Sequence, residues 1–231
     1  MSGYRELFYN SVLSVQMTKS NNEHLALTFC KSNTSHDQRY IDQHSCLHTL
    51  GLKITIEPSS FVENLDPNSF DHPKDFVIAT ARGKAQEVAK RLSMPQSSPD
   101  FVIGADTCVT LDGTVYGKPK DRDHAFSMLS NLSGRSHEVL TGVCLMVHKG
   151  EEWQEVDFSE TTTVKFATLS PQVINAYIDT GEPMDKAGGY GIQALGGMLI
   201  EGIQGDYYNV MGFPLHRFCK SLVPVLEEMF S

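Results

Sequence analysis

The sequence lacks the features that would place it in several common classes of protein. No apolar run comes near the roughly 20 residues that a membrane-spanning helix needs, and no basic region followed by an apolar core opens the chain. We therefore expect neither a membrane partner nor a signal peptide. Basic residues are in the minority: 19 Lys and Arg stand against 28 Asp and Glu, a net charge of −9. Nucleic-acid-binding surfaces usually need a basic excess, so we expect no nucleic acid as a partner.

Paired cysteines of the kind found in zinc sites and redox motifs are absent as well. The count is odd, the spacing is wide and no CxxC occurs. The five cysteines are Cys30, Cys46, Cys108, Cys144 and Cys219. This pattern is typical of reduced thiols, and it predicts a cytoplasmic protein without structural zinc.

The two best-known nucleotide-binding fingerprints are missing. No GxxxxGK[ST] is present, and no GxGxxG follows a strand. A nucleotide site in this chain would have to be built from other residues.

Regular patterning begins near Gly51 and predicts an α/β fold, because strands and helices alternate along the chain. An apolar stripe predicts a helix from Pro73 to about Leu92. Asp112-Gly113 is typical of a hairpin turn. Further predicted strands cover 52–57, 101–111, 136–148 and 154–168, and further helices begin at Asp121, Ser170 and Pro214. We interpret residues 1–50 as a divergent, partly irregular segment, with one strand-like piece at 25–30, and 51–231 as the main domain.

The most informative acid is Asp106, which ends an apolar strand. Ligands in α/β proteins gather at the carboxyl ends of strands, and an acid there can hold a metal or orient a water. Lys118 returns across the Asp112-Gly113 hairpin, which would bring it to the same mouth. The alternatives are a solvated strand-end acid and a surface lysine.

Glu63 and Lys84 are weaker candidates for the same mouth. Glu63 lies in the loop after the strand 52–57 and could supply a second carboxylate, or it could be an ordinary loop acid. Lys84 borders the apolar stripe of its helix, so its ammonium group could reach a cleft or extend to solvent.

The stretch "GEPMDKAGGYGIQALGG" at 181–197 mixes glycines with Lys186 and Gln193. Glycines let backbone approach a ligand closely and present N–H groups to anions, although such runs also form plain turns. Carboxylates, lysines and a glycine-rich loop together fit a polyphosphate bound with Mg²⁺.

Several segments together resemble the Maf family of nucleoside-triphosphate pyrophosphatases, in particular the Maf-like domain of acetylserotonin O-methyltransferase-like proteins. The resemblance runs from about Gly51 to the C-terminus. The matching segments are "GADT" at 104–107, "GKP" at 117–119, "LSGRSHEVLTGV" at 132–143, "TTTVKF" at 161–166, the 181–197 stretch and "GDYYNVMGFP" at 205–214.

The resemblance implies a mixed, twisted sheet with flanking helices, two lobes around a central cleft, and a homodimer. It implies hydrolysis of a nucleoside triphosphate between the α and β phosphates, with dTTP and UTP preferred by the "GADT" branch, and a Mg²⁺ or Mn²⁺ cofactor. Asp106 would be the catalytic acid and, with Glu63, a metal ligand. The substrate-binding residues would be Lys84, Thr107, Lys118, Lys186 and Gln193.

One departure from the family pattern is large. Members carry SxSPRR after their first strand, whereas this chain has Gln38–Gln43 at the matching place and no SxSPRR anywhere. Each hydrogen bond to a charged group contributes about 1.5–3 kcal/mol, so two lost guanidinium contacts would cost about 10²–10⁴ in kcat/KM. The alternative hypotheses are an impaired homologue that acts as a nucleotide-binding or interaction module, and a marginally folded chain without a central first strand.

Overall fold

In the computed structural model of this protein, the described residues are 26–31, 53–92 and 100–229. Seven strands form one sheet within these ranges. They are β1 (Ala26–Lys31), β2 (Lys53–Pro58), β3 (Phe101–Leu111), β4 (Thr114–Tyr116), β5 (Ser136–Lys149), β6 (Glu152–Phe166) and β7 (Ile200–Gln204). The helices are α1 (Pro73–Leu92), α2 (Arg122–Leu132), α3 (Pro171–Asp179), α4 (Tyr207–Met211) and α5 (Leu215–Met229). Short 3₁₀ turns lie at Pro67–Ser69, Glu182–Asp185, Ala187–Gly189 and Leu195–Leu199.

The sheet is mixed, as the α/β prediction requires. Its order is β2-β1-β3-β5-β6-β7, with β4 paired to β3. β2, β1 and β3 are parallel, and β3, β5, β6 and β7 are antiparallel. β1 lies between β2 and β3, so the strand predicted at 25–30 is confirmed, and the sheet does have a central first strand. The remainder of the 1–50 segment, including Gln38–Gln43, lies outside the described residues.

Most predicted elements are confirmed with small shifts at their ends. The Asp112-Gly113 hairpin forms because both residues adopt positive φ, 52° and 78°, as a tight two-residue turn requires. Asp121 caps α2 by accepting a hydrogen bond from the His124 amide at 2.8 Å. β7 and α4 were not predicted, because β7 is a short edge strand inside a glycine-rich stretch and α4 has only five residues.

β3 separates two differently packed faces, since successive side chains of a strand point to opposite sides. On one face, Phe101 and Ile103 pack in a cluster with α5, and Val109 and Leu111 pack in a second cluster with α2 and α3. Thr107 stands between the two clusters. This face therefore carries two apolar clusters, with the polar Thr107 between them.

The opposite face of β3 is covered by α1, which approaches unusually closely at two glycines. A Cβ on Gly104 would overlap the carbonyl oxygen of Ala81, and a Cβ on Gly142 of β5 would lie 2.5 Å from the Ile78 nitrogen. Gly142 is the register partner of Asp106. Because α1 packs so closely at these glycines, its side chains can reach Asp106. No helix of the described part of the chain is long and apolar enough to cross a membrane.

Candidate active site

One edge of β3 has a gap in its strand pairing, and the candidate acid Asp106 lies within this gap. β1 pairs with β3 as far as Ile103, and β4 pairs with the same edge from Val109 onward, while β5 occupies the other edge. Among the described strands, none pairs with the first edge between these two points. Asp106 and Thr107 occupy the middle of the gap and point to opposite faces. The prediction that Asp106 ends its strand is wrong, because β3 continues to Leu111 through pairing with β5 and β4. A ligand lying in the gap could therefore contact both side chains.

Asp106 forms an ion pair with Lys84 of α1, and Lys84 also pairs with Glu63. The Lys84 Nζ lies 2.8 Å from Asp106 Oδ1 and 3.2 Å from Glu63 Oε2. The lysine side chain is 6% exposed, whereas the Asp106 and Glu63 side chains are 17% and 43% exposed. Three residues that the sequence analysis named as candidates for the same mouth thus form one cluster, with its carboxylates nearer to solvent than its ammonium group.

The charge on Lys84 is maintained by these two carboxylates. Burial acts to lower the pKa of Lys84, but the charges of Asp106 and Glu63 and their hydrogen bonds outweigh it and hold the pKa above its ordinary value. Nearby Cys108 is affected in a simpler way: burial, and secondarily the Asp106 charge, raise the pKa of its thiol to about 12. At neutral pH the cluster therefore contains a fixed cation, and the neighbouring thiol is an unreactive neutral group.

A hollow lies on the other face of β3, beside Thr107. Its lining includes Thr107, Val109, Val139, Lys186, Tyr190 and Gln193. The lining mixes polar and apolar side chains, as is common in sites for small molecules. The predicted substrate-binding residues therefore fall into two groups, one on each face of the β3 gap.

Lys186 lines the hollow, but its ammonium group is engaged within its own loop. It contacts Asp185 Oδ1 at 2.8 Å and donates to the Glu182 carbonyl oxygen at 3.2 Å. A Cβ on Gly191 would lie 2.7 Å from Lys186 Cε, so glycine is needed where the lysine stem crosses the loop. The structure therefore makes Lys186 a packed part of the wall of the hollow.

The loop that carries Gln193 is held by Glu182, a residue that the sequence analysis did not single out. The Glu182 carboxylate accepts hydrogen bonds from Tyr177 Oη at 2.8 Å and from the backbone amides of Leu195 at 3.0 Å and Gly196 at 2.9 Å. An acid at the start of the 181–197 stretch, directly after Gly181, was the available signal.

Lys118 follows β4, the strand that borders the far end of the gap. β4 ends at Tyr116, which pairs with Val109, and Lys118 lies two residues later in the connection to α2. The Gly117 carbonyl oxygen accepts a hydrogen bond from the Gly188 amide at 3.0 Å, which links this turn to the glycine-rich segment. Lys118 itself is exposed.

Below Thr107, a buried polar network joins the sheet to α4. Thr107 and Thr141 share a hydroxyl hydrogen bond of 3.0 Å, and Thr141 donates to the Asn209 carbonyl oxygen at 3.2 Å. The Asn209 amide donates to Val139 O at 2.9 Å and Thr162 Oγ1 at 3.1 Å. This network fixes the floor of the hollow.

The donor set suits a metal that shares its coordination with a substrate. No group of three or more His, Cys, Asp or Glu side chains suited to a metal occurs among the described residues. Two carboxylates, from Asp106 and Glu63, meet at Lys84 instead. Mg²⁺ is commonly held by one or two carboxylates together with substrate phosphates and water, so this pair fits such an ion.

Comparison with known proteins finds a family whose fold is consistent with this mixed α/β sheet. Residues 42–225 match the model of the family described as "Maf-like protein". The chain belongs to this family.

Individual relatives cover most of the chain. A human protein named "Probable bifunctional dTTP/UTP pyrophosphatase/methyltransferase protein" is 51% identical over 183 residues, covering 77% of this chain and 29% of the human protein. A "dTTP/UTP pyrophosphatase" of Clostridium perfringens is 47% identical over 74% of this chain and 87% of its own. One of Thermococcus onnurineus is 51% identical over 64% of this chain and 74% of its own. The chain thus spans less than a third of the human relative's length but most of the bacterial one's.

Proposed function

We propose that this chain is a nucleoside-triphosphate pyrophosphatase that hydrolyses dTTP and UTP to the monophosphate and pyrophosphate. The observation that carries the proposal is the placement of Asp106, paired with a buried and charged lysine, in the gap of β3. The names of the clostridial and archaeal relatives support the substrate assignment.

Asp106 acts on the water that attacks the α-phosphorus. The water oxygen forms a bond to this phosphorus, the bond to the bridging oxygen of the β-phosphate breaks, and the carboxylate takes up the water's proton. Lys84 orients the carboxylate and supplies a fixed positive charge as negative charge develops on the leaving pyrophosphate. Lys118, which follows β4 at the far end of the gap, provides a second cation for the phosphates.

Asp106 and Glu63 would hold a divalent cation, Mg²⁺ or Mn²⁺. When bound, the ion supplies charge neutralisation for the phosphates. The carboxylates would then be shared between the ion and Lys84, whose ammonium group keeps their mutual repulsion small in the free protein.

The hollow beside Thr107 receives the nucleoside. Gln193 carries both a hydrogen-bond donor and an acceptor, as recognition of a pyrimidine edge requires. Thr107 joins the two parts of the site, because it borders the hollow and is the neighbour of Asp106 in the gap.

The proposal is tested by a pyrophosphate-release screen over the common nucleoside triphosphates, with and without Mg²⁺ and Mn²⁺. We expect release from dTTP and UTP that depends on the metal and falls by about 10²–10⁴ in Asp106→Asn. Thr110→Val, on the same strand outside the gap, serves as the control for disturbance of β3.

Binding of dTTP or UTP by folded protein without any hydrolysis would overturn the proposal and favour the impaired homologue. In that case, grafting SxSPRR into residues 38–43 would test whether the missing phosphate contacts are the cause.

The proposal extends to the cellular setting and the assembly. We place the protein in the cytoplasm, since Cys108, Cys144 and Cys219 are free thiols. A homodimer is the assembly that the family resemblance implies, and sedimentation of the purified chain tests it.

A further inference from the structure

The segment that leads from β2 to Glu63 runs antiparallel along one side of α1. We call residues 57–63 the strap. At its start, Arg91 near the end of α1 donates to the Pro58 carbonyl oxygen at 2.6 Å and pairs with Glu57 Oε2 at 3.4 Å. At its end, Glu63 reaches Lys84, seven residues earlier on the same helix. The strap is therefore attached at both ends to the helix that carries the active-site lysine.

Glu87 holds the middle of the strap. Its Oε2 accepts hydrogen bonds from Ser59 Oγ and from the Ser60 amide, both at 2.8 Å, while its Oε1 accepts from Arg91 Nε at 3.1 Å. Ser59 is buried, and its hydroxyl also accepts a hydrogen bond from the Phe61 amide at 3.1 Å. Burial acts to raise the pKa of Glu87, but these hydrogen bonds outweigh it and lower the pKa below its ordinary value, so the carboxylate stays ionised.

The ring of Phe61 occupies the space that a side chain at position 83 would fill. A Cβ on Gly83 would lie 2.8 Å from Phe61 Cδ2 and closer still to two other ring carbons. Gly83 lies inside a helix, where glycine costs roughly 0.5–1 kcal/mol relative to alanine. Glycine at position 83 is explained by the space that it leaves for the Phe61 ring.

Beyond Phe61 the strap turns outward and carries Glu63 at its tip. The Asn64 amide donates to the Val62 carbonyl oxygen at 2.9 Å, which closes a tight turn around Glu63. Val62 is 68% exposed and contributes little packing. The attachment that orients this tip therefore comes from the residues just before it, through Glu87 and Gly83.

We infer that Glu87 and Gly83 are positioning residues that act through Glu63, by fixing the strap so that the Glu63 carboxylate meets Lys84 and Asp106. The inference rests on the proposed function, since it assigns how one carboxylate of that site is placed. The contacts described for Glu87 and Gly83 join them to the strap and to Arg91, whereas the carboxylate that meets Lys84 belongs to Glu63. A displacement of about 1 Å in a reacting or coordinating group costs up to about 100-fold in rate.

The kinetic test uses Glu87→Ala and Gly83→Ala, with Glu87→Gln as the conservative variant. We expect the two alanine variants to lower kcat/KM for dTTP by about 10- to 100-fold and to raise the metal concentration needed for half-maximal rate. Glu87→Gln should retain activity within about threefold, because its single amide oxygen can still accept both serine donors, and the lost Arg91 contact is partly exposed. Glu201→Ala and Gly202→Ala, on the exposed edge strand β7, are the matched controls.

A double-mutant cycle separates positioning from general damage. In a Glu63→Gln background, Glu87→Ala and Gly83→Ala should cost no more than about twofold further, because the group they position is already disabled. Full additivity of either variant with Glu63→Gln would overturn the inference.

Amide hydrogen exchange over residues 58–65 tests the strap without using activity. Loss of the Glu87 hydrogen bonds should accelerate exchange at Ser60, Phe61 and Asn64 by about fivefold to tenfold, with the global free energy of unfolding nearly unchanged. Unchanged exchange at Asn64 in Glu87→Ala would refute the link to the tip. If the native chain has no pyrophosphatase activity, the proposed function fails while exchange still decides whether Glu87 positions Glu63. Normal activity of Glu87→Ala beside an active native chain refutes the inference alone.

Discussion

Replacing Lys84 with methionine tests the electrostatic centre of the site. Methionine fills most of the volume of the lysine stem, so the apolar packing of α1 on β3 is largely kept. The change removes the ammonium group that lies 2.8 Å from Asp106 and 3.2 Å from Glu63. Two carboxylates are then left facing each other without a cation.

The expected loss in the free energy of unfolding follows from how deeply Asp106 and Glu63 are buried. Removing one member of a buried ion pair costs about 3–5 kcal/mol, because the remaining charge has lost its partner and its water. Glu63 is 43% exposed and can turn to solvent, whereas Asp106 is 17% exposed. We therefore expect about 3 kcal/mol, the low end of this range, which corresponds to a fall in Tm of about 6–12 °C.

The pH dependence provides a second measurement on the same variant. The pKa of Lys84 is raised in the folded protein above the ordinary 10.5, so its stabilisation is complete below that pH and is lost as the pH rises through the folded-state value. The difference in free energy of unfolding between the native protein and Lys84→Met should thus be constant near neutrality and shrink above about pH 10.5.

Urea unfolding at pH 7 and pH 11 measures both quantities. Lys165→Met is the control, because Lys165 pairs with Glu201 on the surface at 54% exposure and should change stability by less than about 0.5 kcal/mol. Equal urea midpoints for Lys84→Met and the native protein at pH 7 would refute the argument that the ammonium group is needed to hold the two carboxylates.

Three further changes test the surroundings of the site. Gly104→Ala should destabilise the fold by about 1–3 kcal/mol, because its Cβ would overlap the Ala81 carbonyl oxygen, and a Tm unchanged from the native protein would contradict the close seat of α1. Burial lowers the pKa of His137 to about 4; since the unfolded value is near 6.5, stability should fall between pH 6.5 and 4 by up to about 1.4 kcal/mol per pH unit, and His137→Gln should flatten that slope in urea titrations. Glu182→Ala removes two hydrogen bonds to the loop of Gln193 and one to Tyr177 of α3, and it should raise KM for dTTP more than it lowers kcat, whereas an unchanged KM would show that this loop does not shape the nucleoside site.

Much of the fold could be predicted because it depends on short-range chemistry. The helix from Pro73 to Leu92 follows from its apolar periodicity, and the hairpin follows from the positive φ angles that Asp112 and Gly113 tolerate. β7 could not be predicted in the same way. It has five residues, four of them exposed, and it forms through pairing with β6 rather than through a pattern of its own.

The candidate site was predictable as a set of residues but not as an arrangement. The motifs singled out Asp106, Glu63 and Lys84 for one mouth, yet they did not indicate that these three lie on one face of β3 while Gln193 borders a hollow on the other. Nor did they indicate that the ammonium group of Lys186 is engaged by its own loop.

The sequence alone determined which chemical groups are available: an acid within a largely apolar strand, a lysine beside the apolar stripe of a helix, and a glycine-rich loop with an amide. Only the tertiary structure decided which of these meet, because the meeting depends on where β1 stops pairing, where β4 begins, and how closely α1 can approach Gly104 and Gly142. Those are contacts between segments far apart in the chain. They are set by packing and strand register, whereas spacing along the sequence carries information only about neighbours.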